Sequence, residues 1–194
     1  MTPMQDPMKI LSDADQPEGR RIEAAKAIAK DKDISVIDRL FFIADRAETI
    51  LSRAIIDALR EMGAVDVLAN RIAQAPDAAL RAESVKKLGR LQDERSADAL
   101  IGAAKDKELS VRRAALHGLS FLKPGIAKVF DALQAGLRDA DPETRAYAAA
   151  GVGRSGDTRA PRLLAAAREA EQDDLVKDFI EAALRKLTQQ PAAK

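Results

Sequence analysis

The feature that most restricts this chain is a period of about 30 residues. Aligned on an apolar-plus-basic start with an apolar residue eight positions later, four segments superimpose: LRAESVKKLGRL (80–91), VRRAALHGLSFL (111–122), TRAYAAAGVGRS (144–155) and VKDFIEAALRKL (176–187). Two weaker copies precede them, RRIEAAKAIAKD (20–31) and LSRAIIDALREM (51–62). The starts lie 31, 29, 31, 33 and 32 residues apart. That spacing is the length of one helical hairpin, and a hairpin so short buries its apolar face only by stacking on its neighbours.

The columns of the alignment read as a helix. The fifth position is Ala24, Ile55, Ser84, Ala115, Ala148 and Ile180, and the ninth is Ile28, Leu59, Leu88, Leu119, Val152 and Leu184. A mostly apolar stripe therefore recurs at i, i+4 spacing. Three residues before most starts stands an acid, Glu48, Asp77, Glu108, Asp141 or Asp173, placed to cap or complement the positive end of the helix dipole. Second helices are expected near Ile34–Arg46, Val65–Ala73, Ser96–Lys105, Gly125–Leu137 and Arg159–Arg168, with Pro124 and Pro161 at or before a first turn, where a missing amide donor does little harm. Ala-, Leu- and charge-rich composition with 3% aromatics suits closely packed short helices. The fold class expected is all-α: a short right-handed α-solenoid of about five hairpins plus a C-terminal capping helix. Residues 1–16 are expected to be a flexible or capping segment, 17–188 a single solenoid domain, and 189–194 a disordered tail.

With these residues in view, the chain resembles the HEAT repeat family, in particular the bacterial HEAT-like repeats also found in phycobilin lyases. The match rests on the acid followed by V/L-R, the small residues near positions five and eight, and the closing L-x-x-L, as in DKELSVRRAALHGLSFL. The resemblance implies that the second-position cations Arg21, Arg81, Arg112, Arg145 and Lys177 pair with acids of neighbouring repeats as a structural ladder; the second repeat departs with Ser52. HEAT-like deoxyhypusine hydroxylases hold iron through repeated His-Glu pairs, whereas here the single histidine, His117, is followed by Gly118. It is expected to be a surface residue with no evident partner, and no metal site is expected. HEAT-like DNA glycosylases call for a basic, aromatic-bearing concave face. Here 32 Lys and Arg face 31 Asp and Glu, and Trp is absent, so nucleic acid is not an expected partner. A phycobilin lyase-like pocket would draw on Tyr147 with Asp141 and Glu143; Tyr147 is expected instead to pack between repeats or on the convex side.

The residues favour a non-catalytic protein-interaction scaffold or adaptor, with a phycobilin lyase-like subunit or a nucleic-acid-binding protein as the alternatives. No cysteine is present, which excludes thiolate chemistry and disulfides. No leader or membrane-length apolar run is seen, so a cytoplasmic protein is expected, with no cofactor, as a monomer or weak homodimer. The resemblance implies that second helices line the concave side. The candidate partner-binding residues there are Asp38, Arg39, Asn70, Arg71, Asp98, Lys128, Asp131 and Arg162. Phe41 and Phe42 are a second candidate, since Phe41, Phe42 and Ile43 are consecutive and one helical stripe cannot bury all three. The apolar MKIL segment (8–11) is the alternative cover for them.

One motif points elsewhere. GVGRSG (151–156) spells G-x-G-x-x-G, but a dinucleotide loop needs a strand before it and a helix after. Here its glycines occupy columns eight, ten and thirteen of the fifth repeat, shared with Gly118, Gly89 and Gly63. They are expected to close a helix, with Gly151→Ala tolerated unless packing is tight and Gly156→Val destabilising.

Overall fold

The computed structural model describes residues 6–189. Every regular element among them is helical, and the chain divides into two compact units, Met1–Leu68 and Ala69–Lys194. No helix among the described residues is long and apolar enough to cross a membrane.

In the first unit α1 (Pro7–Ser12) lies against α2 (Glu18–Asp31), α2 against α4 (Thr49–Glu61), and α3 (Ile37–Ala44) against α4. Asp6 caps α1 by accepting from the Met8 amide, and Pro7 occupies the first helical position, where its fixed φ suits the turn. Apolar side chains do most of the joining: Leu11, Ile37, Leu40, Leu51, Ile55, Leu59 and Leu68 are fully buried. Each such side chain contributes about 1.5–3 kcal/mol. The unit also holds the start of α5 (Ala64–Gln74), entered through Gly63 at φ +81°. This is a left-handed conformation that only glycine adopts without strain.

The second unit is built as two rows. First helices α6 (Ala78–Leu91), α8 (Leu109–Leu119), α10 (Pro142–Arg154) and α12 (Asp174–Gln189) pack in succession; second helices α7 (Ala97–Ala103), α9 (Ala127–Gly136) and α11 (Ala160–Ala170) each pack on the first helix that follows. Three second helices, α3, α7 and α9, are shorter than the sequence suggests, while α5 and α11 are slightly longer. The segment expected from Ile34 opens with a 3-10 turn, Ile34–Val36, and α3 stops at Ala44; Glu94–Ser96 is likewise a 3-10 turn before α7. In both, an Asp (Asp33, Asp93) accepts from the amide two residues on, so an Asx turn replaces the first helical turn.

The acids before the helices divide by length. Asp77, Asp141 and Asp173 accept amide bonds from Ala79 and Leu80, Thr144, and Val176 respectively. Glu48 and Glu108 hold the N-cap position without a side-chain cap bond, because the extra methylene carries the carboxylate past the amides that an Asp reaches.

The cationic ladder is present, with a different connectivity. Arg81 forks onto Asp106 at 2.8 and 3.0 Å, Arg112 onto Asp139 at 2.9 and 3.3 Å, and Arg145 onto Glu171 at 2.8 Å twice. Each acid sits in the loop that closes the arginine's own hairpin. Nη1 of each arginine also donates to two carbonyls of the preceding loop: Ala75 and Pro76, Asp106 and Lys107, Asp139 and Ala140. Every guanidinium therefore ties two consecutive loops together, a task that needs the planar five-donor fork of arginine. The bond from Arg145 holds the Glu171 carboxyl down at about 2. Burial works to raise Asp139, yet the bonds from Arg112 and the Asp141 amide leave it below the usual carboxylate range. Among the described residues the ladder stops at both ends: Arg21 donates to the Leu11 carbonyl, and Lys177 to Asp174 and the Gln172 carbonyl, with no loop acid forked as in the middle repeats.

GVGRSG closes α10, as its columns suggest, and no strand precedes it. Gly156 takes φ +69°. Gly151 is more constrained than the sequence implies. A Cβ there would stand 2.5 Å from a Leu133 methyl and 3.1 Å from the Ser120 Cβ, so this is the tight packing under which tolerance to alanine is not expected, and a Leu133 methyl must move to admit it. Gly153 faces Ala183, and Gly89 and Gly118 meet backbone to backbone, with a Gly89 Cβ only 2.8 Å from the Gly118 Cα.

Candidate functional site

Where α6 and α8 cross through Gly89 and Gly118, no side chain rises between them. The second unit accordingly carries a groove of about 660 Å³ across the outer face of α6, α8 and α10, within the size range of small-ligand and peptide pockets. Its floor is Gly89, Ala114 and Gly118. Its walls come from side chains four residues apart, which helical geometry places one above the other: Lys86 and Arg90 on α6; Arg113, His117 and, just past the helix end, Phe121 in the line of α8; Glu143 and Tyr147 on α10.

The aromatic wall is continuous. His117 packs edge-on against Phe121 at 4.9 Å and against Tyr147 at 4.8 Å between ring centroids. The expectation that His117 lacks a partner is thus corrected: its partners are rings, one from its own helix line and one from the next repeat. Phe121 remains 45% exposed, with the Arg154 guanidinium 4.9 Å from its centroid, and Arg154 is fixed by donating to the Ser120 carbonyl at 2.8 Å. Partial burial between the two rings, helped by the Arg154 charge, lowers the His117 pKa, although the side chain keeps an exposed edge.

The polar wall is internally matched. Arg113 binds Asp141 at 2.7 Å and Glu143 at 2.6 Å, and the other Glu143 oxygen accepts from the Tyr147 hydroxyl at 2.8 Å. Burial first, and then the bond to Glu143, raise the Tyr147 pKa. The phenol stays protonated, and the carboxylate it meets is neutralised on its far side. Tyr147, Asp141 and Glu143 are therefore brought together, and Tyr147 both packs between repeats and lines the groove. The protonated Tyr147 phenol donates to Glu143 and does not act as a base at neutral pH. Among the described residues no group of three or more His, Asp or Glu is arranged to hold a metal.

The second-helix candidates fare differently. Lys128 binds Asp98 at 2.7 Å across α9 and α7, and Asp131 accepts from Arg159 at 3.3 Å, so charges expected to meet a partner satisfy one another between repeats. Arg162 and Asn70 are exposed, Arg71 half-buried, and Asp38 exposed. Arg39 donates to Ser12 of α1. Phe41 is corrected outright: at 1% exposure it belongs to the core of the first unit. Phe42 is 56% exposed, with the Arg46 guanidinium 3.6 Å above its ring. The residues missed by sequence reasoning are Lys86, Arg90, Arg113 and Phe121, and the signal was the i, i+4, i+8 row Arg113, His117, Phe121 beside two further i, i+4 pairs.

Residues 65–127 match the HEAT repeats family. No characterised protein is matched by sequence. Among solved structures, the chain is similar to the CpcE–CpcF complex of phycocyanin lyase from Nostoc sp. PCC7120, with 24% identity over 78% of this chain and 99% of that one and a TM-score of 0.59. It is also similar to human deoxyhypusine hydroxylase, at 17% identity over 95% and 73% of the two chains with a TM-score of 0.55. A designed armadillo repeat protein in complex with the peptide (KR)4 matches at 17% identity over 95% and 100%, with a TM-score of 0.51. At these identities the likeness is one of fold. Residues 65–127 are HEAT repeats, and the chain has the all-α repeat fold shared by HEAT and armadillo solenoids.

Proposed function

We propose that this chain is a non-catalytic protein-binding module, an adaptor or scaffold, whose partner engages the groove of α6, α8 and α10. The observation that carries the reading is the contrast between rows. The second-helix charges Asp98 with Lys128 and Asp131 with Arg159 pair with one another on an exposed face, whereas the groove keeps a half-exposed phenylalanine and an unfilled apolar floor. Exposed aromatic side chains beside a hollow are typical anchors of interfaces. Two of the similar structures are themselves complexes, one of CpcE with CpcF and one with a peptide.

The test is site-specific photocrosslinking in the native cell. A photoreactive phenylalanine at position 121 is expected to capture a discrete protein, and the same residue at position 162, on α11, is expected not to. Capture at 162 alone would return the interaction to the second helices and overturn the assignment. A second reading, a phycobilin lyase-like subunit, is favoured by one observation, the convergence of Tyr147 and Glu143 on a groove of small-molecule size. A bilin absorbance shift that Tyr147→Phe abolishes would replace the first reading with it.

A further inference from the structure

We propose that the occupant of the groove is a second copy of this chain. Two second units meet outer face to outer face, and Leu175 and Phe179 of each α12 fill the hollow over Ala114 of the other. The proposal rests on the protein-binding reading of the groove and names its partner.

The outer face that carries the groove also carries a ridge. On α12 Leu175 is 52% and Phe179 37% exposed, and being four residues apart they stand one above the other. Phe179 holds the fourth position of its repeat, as Ala114 and Tyr147 do, and Leu175 stands one before the start, as Ser110 and Glu143 do. All four of those counterparts line the groove, so the repeat register puts the ridge on the same face. A hollow of about 660 Å³ takes more than one side chain, and the ridge supplies two large apolar ones.

The order of the helices makes the face self-complementary. First helices pack in the row α6, α8, α10, α12, so a groove centred on α8 and a ridge on α12 flank α10 symmetrically. A two-fold axis over α10, directed along the helices, lays each ridge on the other copy's groove. Both contacts then form at once, as an isologous interface requires. The helix on the axis presents little bulk, because α10 has Ala150 at the seventh position, where α8 has His117.

The charges at the rim agree with this arrangement. Arg113 is bound to Asp141 and Glu143, Glu143 also to Tyr147, and Arg90 has an interaction of its own. Lys86 is exposed and has no partner among the described residues, and the same holds for Asp178 on α12. Asp178 shares the third position with Arg113, which reaches forward to the following helix, so this position faces away from the preceding one. Under the two-fold axis Asp178 therefore turns toward α6 of the other copy. Lys86 lies there four positions further on, and its side chain leans back toward the start of its helix, to the level of Asp178. Opposite charges so placed fix the register of an apolar contact and speed its formation.

The test is sedimentation equilibrium of the full chain at low salt. A monomer–dimer equilibrium with a Kd in the micromolar range is expected, as suits a contact with few anchoring side chains. Phe179→Asp should raise the Kd at least tenfold, and Lys86→Asp and Asp178→Lys should each raise it severalfold. Combining Lys86→Asp with Asp178→Lys should restore association, a recovery that misfolding cannot imitate, and Arg162→Glu should change nothing. A dimer indifferent to Phe179→Asp, or a charge exchange that fails to restore association, overturns the proposal. If the chain stays monomeric while the photoreactive residue at position 121 captures a different protein, self-association is wrong and the protein-binding reading of the groove stands. If the chain stays monomeric and position 121 captures nothing, both fall.

Discussion

The two compact units solve the same stacking problem with different materials. In Met1–Leu68 the helices are joined by large apolar side chains, with Phe41, Ile37, Leu40, Ile55 and Leu59 at full burial, and the second-position residue of α4 is Ser52, whose hydroxyl reaches a single carbonyl, that of Ala44. In Ala69–Lys194 the helices approach through Gly89, Gly118, Gly151 and Gly153, and three arginine–carboxylate forks tie the loops. Small residues at the seam bring backbones close but bury less apolar area per contact. The forks fix the loops that this closer approach leaves unsupported. The difference teaches that one repeat consensus can be held either by volume or by polar staples, and the staples allow an outer face bare enough to hold a groove.

That comparison can be broken by single substitutions. The largest effect belongs to the volume-held unit: Phe41→Ala should cost about 3–5 kcal/mol in urea unfolding followed by circular dichroism, the range for emptying a buried aromatic site. Hydrogen exchange should locate the loss in α2–α4, and an equal loss of protection in α10–α12 would show that the two units do not differ in this way. Next, Arg145→Ala removes both the fork to Glu171 and two carbonyl bonds; a cost of about 2–3 kcal/mol is expected, measured the same way.

Acid sharpens the same contrast. The ladder carboxyls have pKa values below their unfolded values, with Glu171 at about 2 against 4.5. Their contribution is complete above the unfolded value and is lost as pH falls from about 4.5 toward 2. The melting temperature should decline across that window, and Glu171→Gln should flatten the decline. An unchanged profile in that variant would remove Glu171 from the account.

The seam glycines should rank by what their Cβ would meet. Gly89→Ala presses on the Gly118 backbone and should cost about 2 kcal/mol, since overpacking outweighs the roughly 1 kcal/mol gained in helix propensity. Gly151→Ala presses on Leu133 methyls, which can rotate, and should cost about 1 kcal/mol or less. In the opposite direction, Ser84 is buried with a hydroxyl that has no hydrogen-bond partner among the described residues. Ser84→Ala, which restores the residue found in the same column at positions 115 and 148, should stabilise by about 1 kcal/mol. The smallest effect is expected at the exposed pair Lys128 and Asp98, where Lys128→Ala should change stability by no more than about 0.5 kcal/mol.

Much of the fold was legible because helical periodicity and repeat spacing are local properties. The apolar columns, the αL glycine at position 156 and the capping Asp residues are readable from short stretches, while the arginine ladder came only with the resemblance to HEAT repeats. Two things were not. The burial of Phe41 against the exposure of Phe42 turns on a rotation of one residue about the helix axis, and neither side chain differs chemically. The groove is not legible because its parts lie on three first helices from three repeats. His117, Phe121 and Tyr147 are unremarkable in their own segments and meet only when α8 and α10 lie side by side.

By itself, then, the sequence determined that this chain is a stack of helical hairpins, where the first helix of each begins, and that GVGRSG closes a helix rather than cradling a phosphate. Those outcomes depend on backbone propensity and on spacing along the chain. Only the tertiary structure decided which loops each arginine joins, which phenylalanine reaches solvent, and that three helices leave a hollow where Gly89 meets Gly118. Those depend on how closely neighbouring repeats approach, a distance set by packing between residues about 30 positions apart, as at Gly89 with Gly118 and Gly153 with Ala183.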